Sequence, residues 1–299
     1  MFRLIMSVLC LFMWLPKTVR AENIALVIGN GSYDNITSLR SPKQDAEAYR
    51  ELLQTLGYSV QLAVDVDKAT FYQTLDHFHR QIEEGDRVVV VYSGHGWSDG
   101  TRNYLIPVDA AARGSQNFLA SESIRVDEAV LRPIESAKAK LTFAVIDACR
   151  NNPFDLPDTD RSGLPTRGLK LSRGGDGSVV VYSARQGQTA LDYLPGEAPN
   201  DGELSVFARF LIPALEEEIS LQDTFEEAQV QTTRLAKSVE HDQVPAIRIA
   251  YAGGACLTAA CEVREDITYL QCGRQLEAAL SELTDWCSLD WEPYLESCG

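Results

Sequence analysis

One histidine and one cysteine in this chain occupy positions at which a nucleophilic dyad can form. His95 follows an apolar run at residues 87–92, and Cys149 follows a second apolar run at residues 141–146. A thiol is only slightly ionised at neutral pH, and a neighbouring imidazole that accepts its proton produces the thiolate that attacks a carbonyl group. The pair therefore predicts a cysteine–histidine dyad, with His95 as general base and Cys149 as nucleophile.

The apolar runs explain how two residues so far apart in sequence would meet. Both runs are continuous rather than alternating, which is typical of strands covered on two faces. In an open parallel sheet such strands deliver functional residues just beyond their carboxyl ends, so both residues are predicted at one edge. Gly94 and Gly96 flank His95 and permit a close approach of the backbone to a substrate. The N–H groups of Gly96 and Cys149 are the predicted oxyanion donors.

Other nucleophiles and bases fit less well. The G-x-S-x-G stretch at residues 96–100 is not followed by a predicted helix, so it lacks the strand–turn–helix context of a serine hydrolase elbow. The remaining histidines lack a strand-end position and are interpreted as structural: His77, His79 and His241.

The elements that must position the dyad alternate between strand and helix from residue 23 to about residue 252. Strands are predicted at 23–29, 58–64, 87–92, 141–146, 178–183 and 245–250, with a brief extended piece at 104–107. Helices are predicted at 42–56, 68–84, 127–138 with a break near Pro133, 203–218 and 221–238. The pattern predicts an α/β fold with a mainly parallel six-stranded sheet and helices on both faces.

The first 21 residues are typical of a secretory signal peptide. Arg3 is the positive residue, residues 4–15 form the apolar core, and cleavage is predicted after Ala21, so that Glu22 begins the mature chain. An uncleaved anchor is the alternative, but the apolar stretch is shorter than the about 20 residues of a spanning helix. A lipoprotein site at Cys10 lacks the expected small residue before it. We therefore expect a secreted or periplasmic protein.

The charge argues against nucleic acid as a partner. The chain carries a formal net charge of −16, no basic stripe offsets it, and loss of the signal segment would remove three more positive charges. The acidity fits solubility or a preference for cationic substrates. No other segment approaches membrane-spanning length.

The cysteines divide between the predicted site and the tail. Five of the seven lie in the last 44 residues: Cys256, Cys261, Cys272, Cys287 and Cys298. In an exported protein these predict a small disulfide-stapled appendage whose pairing cannot be read from the sequence. Zinc is the less favoured alternative, because the tail has no C-x-x-C pair and no histidine. The tail is also predicted to contain a helix near 266–283.

Several short motifs occur in a fixed order along the chain: residues 25–30 followed by Tyr33, Leu39 and Asp45-Ala46, then residues 56–58, 92–96 and 147–151. Together they resemble the motifs of the caspase-like cysteine peptidases, in particular the bacterial metacaspase-like (orthocaspase) group. The histidine-to-cysteine gap of 54 residues fits the family separation of about 50. The resemblance implies a caspase-like three-layer sandwich and cysteine endopeptidase activity. It divides the chain into a large-subunit-like part (22–154), a linker (155–177), a small-subunit-like part (178–252) and a tail outside the family (253–299).

The resemblance also implies a substrate preference. Asp147 stands where caspases carry a glutamine, and Asn151 replaces their glycine. In metacaspases and paracaspases this acid lines a pocket for arginine or lysine, so cleavage after a basic residue is expected. The segment 183–192 supplies two further candidate pocket residues, Ser183 and Asp192. The alternative for Asp147 is a strand-end residue that caps local backbone N–H groups.

Further implications concern processing, metals and assembly. The linker offers Arg161, Arg167, Lys170 and Arg173 as candidates for self-cleavage. Metacaspases often need calcium, but no acidic cluster for it is identified here, so no metal site or cofactor is predicted and calcium dependence stays open. The resemblance favours a monomer that acts on a protein or peptide substrate. Two alternatives stay open: a noncatalytic binding or scaffold protein with this fold, and another thiol enzyme such as an acyltransferase or amidase.

Overall fold

The computed structural model describes residues 22–149, 154, 177–185, 187–198, 204–217, 219–251 and 254–262. The predicted signal segment, the four linker cleavage candidates, Asn151, the tail helix near 266–283 and the last three cysteines lie outside the described residues. The linker candidates are Arg161, Arg167, Lys170 and Arg173, and the cysteines are Cys272, Cys287 and Cys298.

The described residues form the alternating elements that the sequence predicts. The strands are β1 (Asn23–Gly29), β2 (Ser59–Val64), β3 (Arg87–Ser98), β4 (Asn103–Leu105), β5 (Ile124–Arg125), β6 (Leu141–Cys149), β7 (Ser178–Tyr182) and β8 (Ala246–Ala250). The α-helices are α1 (Pro42–Thr55), α2 (Lys68–His79), α3 (Gln116–Glu122), α4 (Arg132–Ser136), α5 (Ala208–Glu216) and α6 (Leu221–Ser238), and a π-helix spans Val126–Leu131.

The sheet follows the order β2-β1-β3-β6-β7-β8. All neighbours on this path are parallel except β7 and β8, which are antiparallel. The predicted mainly parallel six-stranded sheet is confirmed. The short strand β4 adds to it, because it pairs antiparallel with the end of β3 and with β5.

Two hydrophobic cores lie on opposite faces of the sheet, as the predicted three-layer sandwich requires. One core packs alternate residues of the central strands, such as Val89, Val91 and Val145, against α1, α5 and α6. The other packs the intervening residues, such as Val90 and Ile146, against α2, the π-helix and α4. Side chains alternate between the faces of a strand, so the continuous apolar runs supply both cores.

Three helix predictions differ from the structure. Helix α2 ends at His79 rather than at residue 84. Ile82 fits the helical period and is buried, but it lies in the turn that follows the helix. Helix α5 begins at residue 208 rather than 203, because Ser205 stays outside the helix, where its hydroxyl accepts from the N–H of Ala208. The helix predicted at 127–138 is a π-helix followed by α4, and helix α3 was not predicted.

The tail begins at the amino-terminal edge of the parallel strands, opposite the predicted dyad. Cys256 and Cys261 form a disulfide, which confirms that the tail is stapled at this point. Glu262 accepts hydrogen bonds from Arg87, at the start of β3, and from Lys140, just before β6. Residues 254–262 are thus packed onto the domain. No helix in the described part of the chain is both long and apolar enough to cross a bilayer.

Candidate active site

Strands β3 and β6 bring His95 and Cys149 to neighbouring positions. The two strands are parallel, and their register runs from Arg87 opposite Leu141 to His95 opposite Cys149. Adjacent strands in a sheet lie about 4.8 Å apart. Two residues that are 54 positions apart in the chain therefore have adjacent backbones at the carboxyl ends of the central strands.

The His95 ring is held so that one nitrogen has a defined role. Its Nε2 lies 2.8 Å from the carbonyl oxygen of Thr37. A carbonyl oxygen only accepts, so Nε2 carries the hydrogen and the neutral ring keeps a lone pair on Nδ1. This Nδ1 is buried and has no hydrogen-bond partner among the described residues. Burial lowers the pKa of His95, while the Thr37 carbonyl and Asp192 act in the opposite direction. The ring is therefore suited to accept a proton at Nδ1.

The backbone of His95 is fixed by two tyrosines. Its N–H donates to the hydroxyl oxygen of Tyr33 over 2.7 Å, and the hydroxyl of Tyr92 donates to its carbonyl oxygen over 2.8 Å. The Tyr33 ring also packs against the imidazole, with centroids 4.7 Å apart. Both the backbone and the ring plane of His95 are thus positioned by groups outside β6.

Glycine is required at position 94 by these same tyrosines. A Cβ at Gly94 would lie 2.7 Å from the Tyr92 hydroxyl oxygen and 2.8 Å from the Tyr33 hydroxyl oxygen. These distances are too short for any side chain. Gly96, the second flanking glycine, lies in β3 opposite Leu105 of β4.

A pocket with an acidic lining opens next to the carboxyl end of β3, where Ser93 and Gly94 form part of its wall. Its volume is about 200 Å³, including the part open to solvent. It is lined by Leu39, Ser41, Pro42, Ser93, Gly94, Asp147, Ala190, Leu191, Asp192 and Ser205. No group of three or more His, Cys, Asp or Glu among the described residues is arranged to hold a metal ion.

Asp147 lies buried in this lining and accepts a hydrogen bond from the Ser205 hydroxyl. Its pKa is raised to about 6, chiefly by burial; the hydroxyls of Ser205 and Ser183 act in the opposite direction, and the charge of Asp192 contributes to the rise. Ser183 is itself buried directly after β7. The pocket therefore contains a carboxyl group that is costly to ionise unless a cation is supplied.

Asp45 is a second buried acid next to the pocket, and the sequence analysis assigned it no role. One of its oxygens accepts from the Ser93 hydroxyl over 2.7 Å and the other from the N–H of Ser205 over 2.8 Å. Burial, and then the charge of Asp147, raise its pKa well above the ordinary value. A signal was present in the sequence, because Asp45 shares the apolar face of α1 with Tyr49 and Leu52.

Asp192 lies at the rim of the pocket and joins two loops. Its carboxylate accepts from the N–H of Arg40 over 2.7 Å and from the N–H of Ser41 over 2.9 Å, and also from the Ser41 hydroxyl. Much of its hydrogen-bonding capacity is thus used by the segment that leads into α1. Its negative charge still acts on the pocket, because it contributes to raising the pKa of Asp147 and partly offsets the lowered pKa of His95.

Gln243 is a further residue that the sequence analysis missed. Its buried amide donates to the carbonyl oxygen of Ser183 and accepts from the N–H of Leu191, both over 2.9 Å. It therefore ties together the two ends of the segment that carries Ser183 and Asp192. A lone glutamine before an edge strand gives no pattern from which this role could be predicted.

The comparison with protein families fits this fold and site. The model of the caspase domain, a family of peptidases, matches residues 22–250. The chain therefore belongs to the caspase domain family. The predicted resemblance is confirmed at this level, whereas membership of the metacaspase-like group stays a prediction.

Three relatives share part of the sequence. The chain is 27% identical over 191 residues to the mucosa-associated lymphoid tissue lymphoma translocation protein 1 homolog of Mus musculus, covering 62% of this chain and 22% of that protein. The Homo sapiens protein is 26% identical over the same length, with 23% of it covered. Caspase-1-B of Xenopus laevis is 24% identical over 135 residues, covering 43% of this chain and 34% of that protein. The chain thus spans less than a quarter of the first two relatives.

Proposed function

We propose that the protein is a cysteine endopeptidase in which Cys149 is the nucleophile and His95 the general base. The observation that carries the proposal is the register that sets His95 beside Cys149, combined with an imidazole whose Nε2 is held by Thr37. A base that serves a thiol needs a free nitrogen on a ring of fixed orientation. Family membership supports the same reaction class.

The proposed reaction follows from these roles. Nδ1 of His95 takes the proton of the Cys149 thiol, and the thiolate attacks the scissile carbonyl carbon. The N–H groups of Gly96 and Cys149 donate to the developing oxyanion. His95 then protonates the leaving amine as the C–N bond breaks. Water hydrolyses the thioester and restores the thiol.

We propose further that cleavage follows arginine or lysine. Asp147 and Asp192 line one pocket and Asp45 is buried next to it, and burial together with the neighbouring carboxylates raises the pKa values of Asp147 and Asp45. A guanidinium or ammonium group would supply the missing positive charge. The caspase pocket for aspartate requires basic residues instead, and the described lining of this pocket contains none.

The test is turnover of fluorogenic peptides that differ only at the cleavage position. The purified protein is expected to cleave arginine and lysine peptides and to leave the aspartate peptide intact. Cys149→Ala and His95→Ala are expected to abolish turnover. The assay is run with calcium and with chelator, because a calcium requirement is not decided by the sequence. Absence of Cys149-dependent turnover in every condition would favour the noncatalytic scaffold. Cleavage without any side-chain preference would favour an acyltransferase or amidase.

Self-cleavage in the linker is a separate proposal. The family resemblance and four basic residues support it: Arg161, Arg167, Lys170 and Arg173. Intact mass of the wild type is expected to show fragments that end at one of these residues, while Cys149→Ala keeps its full mass. Identical full-length masses in both proteins would contradict it.

We also propose export after removal of residues 1–21, and a monomeric state. The positive residue, the apolar core and the small residue Ala21 support the first proposal. Amino-terminal sequencing of the protein from its producing cells is expected to show Glu22 as the first residue.

The monomeric state has its own test. Size-exclusion chromatography with light scattering is expected to give the mass of one chain.

A further inference from the structure

The loop between β1 and α1 holds the catalytic histidine from outside its own strand. This segment, residues 31–41, is here called the histidine loop. It supplies the Thr37 carbonyl that accepts from Nε2 and the Tyr33 hydroxyl that accepts from the N–H of His95. The orientation of the imidazole therefore depends on how this loop is fixed.

The beginning of the histidine loop is fixed by one carboxylate. Oδ1 of Asp65 accepts from the N–H groups of Gly31 and Ser32, and Oδ2 accepts from the Ser32 hydroxyl, each over 2.8 Å. Asp65 follows β2 directly and adopts a left-handed backbone conformation with a φ of 51°. Residues other than glycine seldom adopt this region, and such residues cluster where function depends on geometry.

Backbone contacts and a second carboxylate fix the rest of the loop. The N–H of Asp34 donates to Val108, and the N–H of Leu39 donates back to Gly31. At the end of the loop, Asp192 accepts from Arg40 and Ser41. Between the two carboxylates the loop presents Tyr33 and Thr37 to His95. Asp65 anchors the end that is nearer to Tyr33.

We propose that Asp65 is a positioning residue for His95. Its hydrogen bonds hold the histidine loop in the place where the Thr37 carbonyl oxygen accepts from Nε2–H of His95, which leaves Nδ1 of His95 as the proton acceptor. Asp65 does not touch His95, so its effect passes through Gly31 and Ser32. The inference rests on the proposed peptidase function for its kinetic consequence only. The state of the His95 ring is measurable without turnover.

Among the described residues, Lys43 is the charged group that acts on Asp65, and Asp192 is the charged group that acts on His95. Partial burial alone would raise the pKa of Asp65, but the hydrogen bonds from Ser32 and Gly31, together with Lys43, lower it. Asp65 is thus ionised wherever the enzyme is assayed near neutral pH, and changes seen in Asp65 variants are attributable to its lost hydrogen bonds.

The experiment compares three variants. Asp65→Gly removes the carboxylate but keeps the backbone unstrained, because glycine adopts positive φ readily. Asp65→Asn keeps an oxygen that accepts from both N–H groups. Asp67→Ala is the matched control, because Asp67 also accepts from a backbone N–H, that of Thr70 at the start of α2, but does not contact the histidine loop.

Two readouts separate positioning from general stability. In arginine-peptide turnover, Asp65→Gly is expected to lower kcat about 10-fold to 100-fold, the scale that small misplacements of catalytic groups produce, with little change in KM. Asp65→Asn is expected to recover most of this loss, and Asp67→Ala to keep the wild-type kcat. In the Cys149→Ala background, ¹⁵N NMR of His95 is expected to show the Nε2–H form in the wild type and a mixture of tautomers in Asp65→Gly.

Two outcomes would overturn the inference. Wild-type kcat and unchanged His95 ring signals in Asp65→Gly would show that the loop holds its place without the carboxylate. An equal loss of kcat in Asp67→Ala would show that the effect is one of general stability. Failure of the proposed function looks different, because the wild type itself would then lack Cys149-dependent turnover while the ring signals could still report on Asp65.

Discussion

Replacing Asp147 by asparagine should stabilise the fold while it removes the preference for basic substrates. Asp147 is buried, and its pKa is raised from 3.8 to about 6, chiefly by burial. In the unfolded chain the carboxyl returns to its ordinary value. Between these two pKa values the folded state binds a proton that the unfolded state does not, so the free energy of unfolding decreases as pH rises through this interval.

The magnitude follows from the same pKa values. A pKa raised from 3.8 to about 6 corresponds to about 3 kcal/mol of destabilisation at neutral pH. Asparagine has nearly the same shape and can still pair with the Ser205 hydroxyl, but it carries no charge. Because Asp45 shares part of the unfavourable interaction, we expect a gain of about 1–3 kcal/mol at neutral pH, or about 3–9 °C in Tm for a domain of this size.

The assay is thermal unfolding by circular dichroism in the Cys149→Ala background, which prevents clipping. Asp147→Asn is expected to raise Tm at pH 7.5, and the difference should shrink towards pH 4.5, where the wild-type carboxyl is largely protonated. Asp76→Asn, at an exposed residue paired with Arg80, is the control and should change Tm little. In the active enzyme, Asp147→Asn is expected to lower kcat/KM for arginine peptides about 30-fold or more, the usual cost of truncating a buried charge pair.

Two results would refute this reasoning. A Tm at pH 7.5 that falls in Asp147→Asn would mean that the buried charge is compensated in the folded protein. An unchanged preference for arginine over neutral side chains would mean that Asp147 only caps the strand end and does not recognise substrate.

Three further predictions concern pH, the histidine and the tail. For arginine peptides, kcat/KM should rise about 10-fold between pH 5 and its plateau, because only about a tenth of Asp147 is ionised at pH 5 when its pKa is about 6; a flat profile over this range would contradict the assignment. Tyr33→Phe should lower kcat about 10-fold, since the buried N–H of His95 loses its acceptor, and steady-state kinetics that match the wild type would count against it. Replacing both Cys256 and Cys261 by alanine should lower the free energy of unfolding by about 2 kcal/mol, measured by urea unfolding. The same change should leave kcat unaltered, because this disulfide lies at the opposite edge of the sheet from the proposed active site. A large loss of kcat in the turnover assay would show that the tail reaches the site.

Hydrophobic patterning predicted the strands that carry His95 and Cys149 and their position at one edge of the sheet, whereas the register that sets them opposite each other comes from the structure. Short, continuous apolar runs such as those before His95 and Cys149 are typical of buried strands with helices on both faces. The same patterning overextended α2, because Ile82 keeps the helical spacing although it is buried by a turn.

The surroundings of the dyad were harder to predict, because they depend on backbone groups that every residue carries. Thr37 acts through its carbonyl oxygen, so its side chain gave no signal. Asp65 and Gln243 act on backbone N–H and C=O groups of distant loops. Asp45 was the exception, since an acid on the apolar face of α1 is visible in the sequence.

The most direct test of the central claim is labelling by an arginine-bearing peptidyl electrophile, followed by peptide mapping and by the rate of labelling. The account predicts a single adduct on Cys149, formed about 100-fold or more slowly in His95→Ala because the thiol then lacks its general base. An adduct on a different residue, or an equal rate in His95→Ala, would contradict the cysteine–histidine dyad.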